Sequence, residues 1–88
     1  MDTKVRIIRP DGNTENDQIT VRNNNVLADL QEAVGGYIEI VDLPETNMLM
    51  VVDEEGLLKD KEENFVASVL AGQRIVGTVA IVPSGLFN

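Results

Sequence analysis

The stretch Leu30-Gln31-Glu32-Ala33-Val34-Gly35-Gly36-Tyr37-Ile38-Glu39-Ile40-Val41 constrains this chain more than any other. Val26, Leu27, Leu30 and Val34 recur at spacings of three and four, which makes one apolar stripe on a helix. That pattern stops on two glycines and passes at once into a strand of period two. Gly35 falls where a left-handed residue ends a helix, and Gly36 lets the chain reverse. A helix of about ten residues is marginal alone, so it must dock on a sheet.

The flanking segments supply that sheet. Residues 4–9 alternate before both faces turn apolar at Ile7-Ile8, and residues 18–22 alternate again, predicting an antiparallel N-terminal hairpin over 4–22. Pro10-Asp11-Gly12-Asn13 has turn chemistry, and the loop continues through Thr14-Glu15-Asn16-Asp17 as an exposed, mobile tip. Asn23-Asn24-Asn25 offers side-chain acceptors to the first helical turn. Residues 37–43 read as a strand with Glu39 and Asp42 on opposite faces. Pro44-Glu45-Thr46-Asn47 joins it to Met48-Leu49-Met50-Val51-Val52, which is apolar on both faces and therefore interior.

Asp53-Glu54-Glu55-Gly56 reads as a solvated turn. Asp60 with Glu63 has capping-box spacing, and Phe65, Val66, Val69 and Leu70 give the second helix an expected buried face before Gly72 ends it. Residues 75–82 read as a second interior strand, and 83–88 as a tail. The order ββαββαβ predicts one domain over residues 1–88 of α+β class. The expected architecture is a two-layer sandwich: a mainly antiparallel sheet of about five strands with both short helices on one face. Residues 48–52 and 75–82 are expected to lie centrally, with 18–22 near an edge.

Composition narrows the chemistry. The chain has no histidine and no cysteine. It therefore lacks the commonest general base near neutral pH, the commonest transition-metal ligand and all thiolate chemistry. Calcium loops of the helix–loop–helix type fail on spacing: counting back from Gly56 or Gly12 places Val51 or Ile7 where the first carboxylate belongs. Gly35-Gly36 follows a helix, whereas a phosphate-binding loop precedes one. Ser68 and Ser84 have no histidine partner, and Lys61 lies two helical turns from Ser68. No catalytic, cofactor-binding or metal-binding set emerges, and a non-enzyme is expected.

Seven Lys plus Arg against fifteen Asp plus Glu give a net charge of −8. The bases are scattered, so nucleic acid is not an expected ligand. No apolar run approaches the ~20 residues of a membrane helix, and residues 1–20 lack a signal-peptide core. A cytoplasmic, membrane-free protein is expected, with a homodimer left open.

Three features stand out as an interaction surface. Tyr37 is either a core aromatic or an exposed anchor, and the scarcity of aromatics (3% of residues) favours core or half-buried packing. Leu86-Phe87 in the tail either fold back on the sheet or dock on another chain. Asp53, Glu54 and Glu55 form the acidic turn.

Several of these residues also carry a family likeness. The chain resembles the domain-of-unknown-function family numbered 3846, small domains of phage, prophage and bacterial genomes. The likeness lies in Leu30-Gln31 through Val41, in Val52-Asp53-Glu54-Glu55-Gly56 with Leu57-Leu58-Lys59, in Asn64 with Ala67, and in Ile75-Val76-Gly77-Thr78-Val79. It spans roughly residues 26–82 by this reading, and the N-terminal hairpin looks like a local elaboration. The resemblance implies a mobile-element context and brings no activity or site residues. Two roles follow as expectations. The first is an accessory that binds a host or phage protein, with its carboxylates gathered on one face if it imitates nucleic acid. The alternative is a dimeric nucleotide-signal binder in which Arg6, Arg9 and Arg74 converge on one pocket.

Overall fold

A computed structural model describes residues 2–12 and 17–87. The expected loop tip at 13–16 and the last residue of the tail lie outside the described residues. The elements are β1 (Thr3–Ile8), β2 (Gln18–Val21), α1 (Val26–Val34), β3 (Ile38–Asp42), β4 (Met48–Asp53), α2 (Phe65–Ala71) and β5 (Val79–Pro83). A 3-10 turn (Ser84–Phe87) follows β5. The strands form one antiparallel sheet in the order β2-β1-β5-β4-β3. Class, strand number and element order are those expected from sequence. β5 is central, β4 lies beside it and β2 is at an edge, also as expected.

The layering differs from expectation. Val5, Ile7, Val51, Ala80 and Val82 meet Leu30 and Val34 of α1 in one apolar cluster. Ile8, Met50, Val52 and Val79 meet Ala67 of α2 in another. Successive strand residues point to opposite faces, so Val51 and Met50 cannot serve the same helix. The helices therefore cover opposite faces of the sheet, not one. This explains why β4 and β5 are apolar on both sides: each face has its own cover.

Each helix also deviates in detail. In α1, Leu30 and Val34 are buried while Leu27 is exposed. Asn25 occupies the N-cap without a side-chain cap bond. Its Nδ2 instead donates to Asp29 Oδ1 (3.1 Å), and Asp29 also accepts from the Arg22 amide and guanidinium. These bonds, first from the Arg22 side chain and then from its backbone, hold the Asp29 carboxyl well below the usual range and raise the Arg22 pKa.

In α2 the capping box is absent. Asp60 has a positive φ of 57° within the preceding turn, and Asn64 is the N-cap. The helix buries Ala67, half-buries Val66 and Ala71, and exposes Phe65, Val69 and Leu70. Asn64, fully buried, causes this rotation. Its Oδ1 accepts from the Ala67 amide (3.1 Å), and its Nδ2 donates to the carbonyls of Ile8 (3.0 Å) and Gly77 (2.9 Å). One turn later, Ser68 Oγ donates to the Asn64 carbonyl and accepts from the Ile75 amide (2.8 Å). The helix is thus pinned to the sheet by its Asn64–Ser68 side, and the larger apolar residues are turned outward.

The last strand begins later than expected. Residues 75–78 instead form an isolated bridge, Glu63 with Val76, and a left-handed turn at Gly77 (φ 78°). Leu86 packs against the α1-side cluster, so this part of the tail folds back, while Phe87 is 42% exposed.

Asn64→Ala removes a cap and leaves two buried carbonyls without their donor. It should cost about 3 kcal/mol, which equilibrium urea unfolding will read as a lower midpoint. Leu27→Ala, at an exposed site, should cost under about 1 kcal/mol in the same assay.

Candidate functional site

β3 and β4 bring Ile38 opposite Asp53, on the face that α1 covers. The Asp53 side chain is wholly buried there, contrary to its reading as part of a solvated turn. Lys61 Nζ lies 2.6 Å and Lys59 Nζ 2.9 Å from Asp53 Oδ2. The Glu55 amide donates to Asp53 Oδ1 (2.9 Å). Each ammonium also reaches the end of α1: Lys61 donates to the Val34 carbonyl (2.7 Å) and Lys59 to the Gly35 carbonyl (3.1 Å). The last turn of α1 carries no base of its own, so these two lysines supply the positive charge that a helix C-terminus favours.

The glycine pair makes this arrangement possible. Gly35 ends α1 in the left-handed region (φ 84°), as the sequence predicts. A Cβ on Gly36 would lie 2.5 Å from Lys59 Nζ and 2.9 Å from both Asp53 carboxylate oxygens. Gly36 is therefore needed for close approach. Burial opposes ionisation of Asp53, but hydrogen bonds from Lys61 and Lys59, with the Glu55 amide, outweigh it and hold the pKa at about 2. The contacts of the Asp53 carboxylate are with the two lysines and the Glu55 amide, and Asp53 is a structural anchor instead of a surface residue.

The remaining sequence-predicted residues are dispersed. Tyr37 is 67% exposed, correcting the expectation of core or half-buried packing. It precedes the first residue of β3 and borders a shallow hollow with Gln31, Glu55 and Lys59. Glu54 and Glu55 are exposed, and Glu54 lines a separate cleft of about 510 Å³ along β3. Leu86 and Phe87 lie in the 3-10 turn after β5. Tyr37, Glu54, Leu86 and Phe87 therefore do not compose one site. The carboxylates are also divided between the two sides of the sheet, with Asp29 and Glu32 on α1 and Glu39 on the opposite face of β3. That division does not suit an imitation of nucleic acid.

The three arginines expected to converge do not share a cavity. Arg74 lines the β3 cleft and has Glu63 at 3.7 Å. Arg9 pairs with Asp17 (2.6 Å) and borders a hollow with Ile19 and Asp29. Arg6 lines neither. Among the described residues, no three Asp or Glu side chains gather into a metal-binding group. Among the described residues, no helix is long and apolar enough to cross a membrane.

Two surfaces that sequence reading missed are more coherent. One is the outer side of α2, where Phe65 (75% exposed), Val69 and Leu70 stand at helical neighbours i, i+4 and i+5. The other is the β3 cleft, whose lining includes the exposed Leu57. The signal for the first was present in the Asn64–Ser68 spacing, since two polar residues one turn apart can claim the buried side.

The fold and its anchor define a small α+β domain with one helix on each side of an antiparallel sheet. Residues 3–85 match the family model described as Domain of unknown function (DUF3846), and the chain belongs to that family. The match includes the N-terminal hairpin, which is therefore part of the family domain and not a local addition. No curated protein and no solved structure matches the chain.

Asp53 has a folded pKa below its ordinary value, so its stabilising effect is present above about pH 4 and is lost as the pH falls toward 2. Asp29 contributes in the same direction. Acid unfolding of Asp53→Asn should show a shallower pH dependence between pH 4 and 2 than wild type, with about 2 kcal/mol lower stability at pH 7 from the lost contacts to the two partly exposed lysines.

Proposed function

We propose that this chain is a non-enzymatic accessory of a phage or related mobile element that works in the cytoplasm by occupying the surface of a host or phage protein. The observation that supports this reading most is the outer side of α2. Burying a Phe, Val or Leu side chain is worth about 1.5–3 kcal/mol, and an 88-residue chain has few to spare. Here hydrogen bonds of Asn64 and Ser68 hold the helix so that Phe65, Val69 and Leu70 remain outside. An apolar helix side held outward by a rigid polar attachment suits a binding surface. The net charge of −8 adds a preference for a basic partner surface and disfavours nucleic acid.

The test separates binding from folding. The double variant Val69→Lys, Leu70→Asp changes exposed positions, so its unfolding midpoint should stay close to wild type. Affinity capture from an extract of the bacterium that carries the gene should retain a defined protein with wild type and lose it with the variant. Equal capture by both proteins counts against this surface.

A further inference from the structure

We infer that the free edge of β3 accepts an extended segment of a partner protein as an added strand, and that this segment carries lysine or arginine next to aliphatic residues. The inference rests on the protein-binding reading above and adds to the outer side of α2 a second contact, with the chemistry that would recognise it.

The first argument is the edge itself. β3 ends the sheet, and among the described residues no strand pairs with its outer side. The Tyr37 carbonyl accepts from the Glu54 amide (2.9 Å), one step beyond the Ile38–Asp53 pair. In an antiparallel ladder, hydrogen-bonded and non-bonded pairs alternate. Glu39 and Val41 therefore bond to β4, and the amides and carbonyls of Ile38, Ile40 and Asp42 point outward. That row is a template for another strand.

The second argument is the cleft. Four consecutive β3 residues, Glu39 through Asp42, line a single hollow of about 510 Å³. Consecutive strand residues alternate faces, so a hollow lined by all four runs along the backbone of β3, on the α2 side where Val52 and Ile75 lie. It continues over Val52 and Ile75, which give aliphatic side chains an apolar floor.

The third argument is charge. Glu39, Asp42 and Glu54 rim the cleft, against the single base Arg74, which already has Glu63 nearby. A second copy of the chain would bring the same carboxylates and another net charge of −8. A basic segment complements the rim, and a self-paired edge opposes it. At roughly 3.4 Å per residue, the five residues of β3 match a segment of about five residues.

The experiment uses the full chain, isotopically labelled for amide NMR, and two capped pentapeptides: one alternating lysine and valine, the other alternating glutamate and valine. The lysine peptide should produce saturable shifts largest at the amides of Ile38, Ile40 and Asp42, with at least tenfold weaker binding of the glutamate peptide. Ile40→Pro removes an outward amide that β4 does not use, and should weaken binding at least tenfold. If that variant loses the folded spectrum, the pair Glu39→Lys, Asp42→Lys decides, with the same tenfold loss expected. Shifts confined to other surfaces, equal binding of both peptides, or pairing of copies through β3 would overturn the inference. If the lysine peptide does not bind while the α2 variant still loses its captured protein, the edge inference alone falls.

Discussion

The ion cluster that buried Asp53 forms with Lys59 and Lys61 holds together parts of the chain that local structure leaves unconnected. It joins the end of α1, the end of β4 and the irregular segment from Glu54 to Glu63. Replacing a buried ion pair by apolar residues is often neutral or stabilising, so the cluster is better understood through what it positions. Leu57 and Leu58 are exposed, which leaves this segment little apolar anchorage. Its attachments are the two lysines, the close packing of Gly56 on Val76 and the bridge between Glu63 and Val76. Those contacts deliver Asn64 to the sheet, and Asn64 starts α2.

From Asn64 onward, polar bonds take precedence over the apolar stripe. An amphipathic helix usually turns its largest apolar residues inward. Here that orientation would strip Asn64 from the carbonyls of Ile8 and Gly77 and Ser68 from Ile75. Each buried carbonyl left unpaired costs about 1–3 kcal/mol. The penalties together are comparable to what burying Phe65 and Leu70 would gain, and small residues at 67 and 71 let the helix sit close to the sheet. The exposed apolar side of α2 follows from the same constraint that fixes the helix.

Much of the fold was legible in the sequence, and its failures have physical causes. Period two located β1 to β3, unbroken apolar runs located β4 and the body of β5, and glycine chemistry located both helix ends, because these signals are local. Gly36 was recognisable as a chain reversal, but its close approach to Lys59 and Asp53 joins residues far apart in sequence. The buried role of Asp53 was hidden for the same reason: an aspartate before two glutamates and a glycine has the composition of a solvated turn. The placement of both helices on one face was a different kind of error. Met50 with Val51, and Val79 with Ala80, already required cover on both sides of the sheet. Tyr37 was misplaced by counting aromatics, when its position outside the paired strand decided its exposure.

The surface has a corresponding logic. The edge at β2 is short, with exposed Gln18 and Thr20 on the face opposite α1, whereas the edge at β3 carries Glu39 and Asp42 beside apolar residues. Charged residues on an edge strand hinder pairing between identical chains. On an apolar edge beside a cleft they do more than that, because the repulsion depends on the sign of the incoming strand. Under the proposed strand addition, carboxylates that disfavour a second copy of this acidic chain would favour a basic segment through the same field.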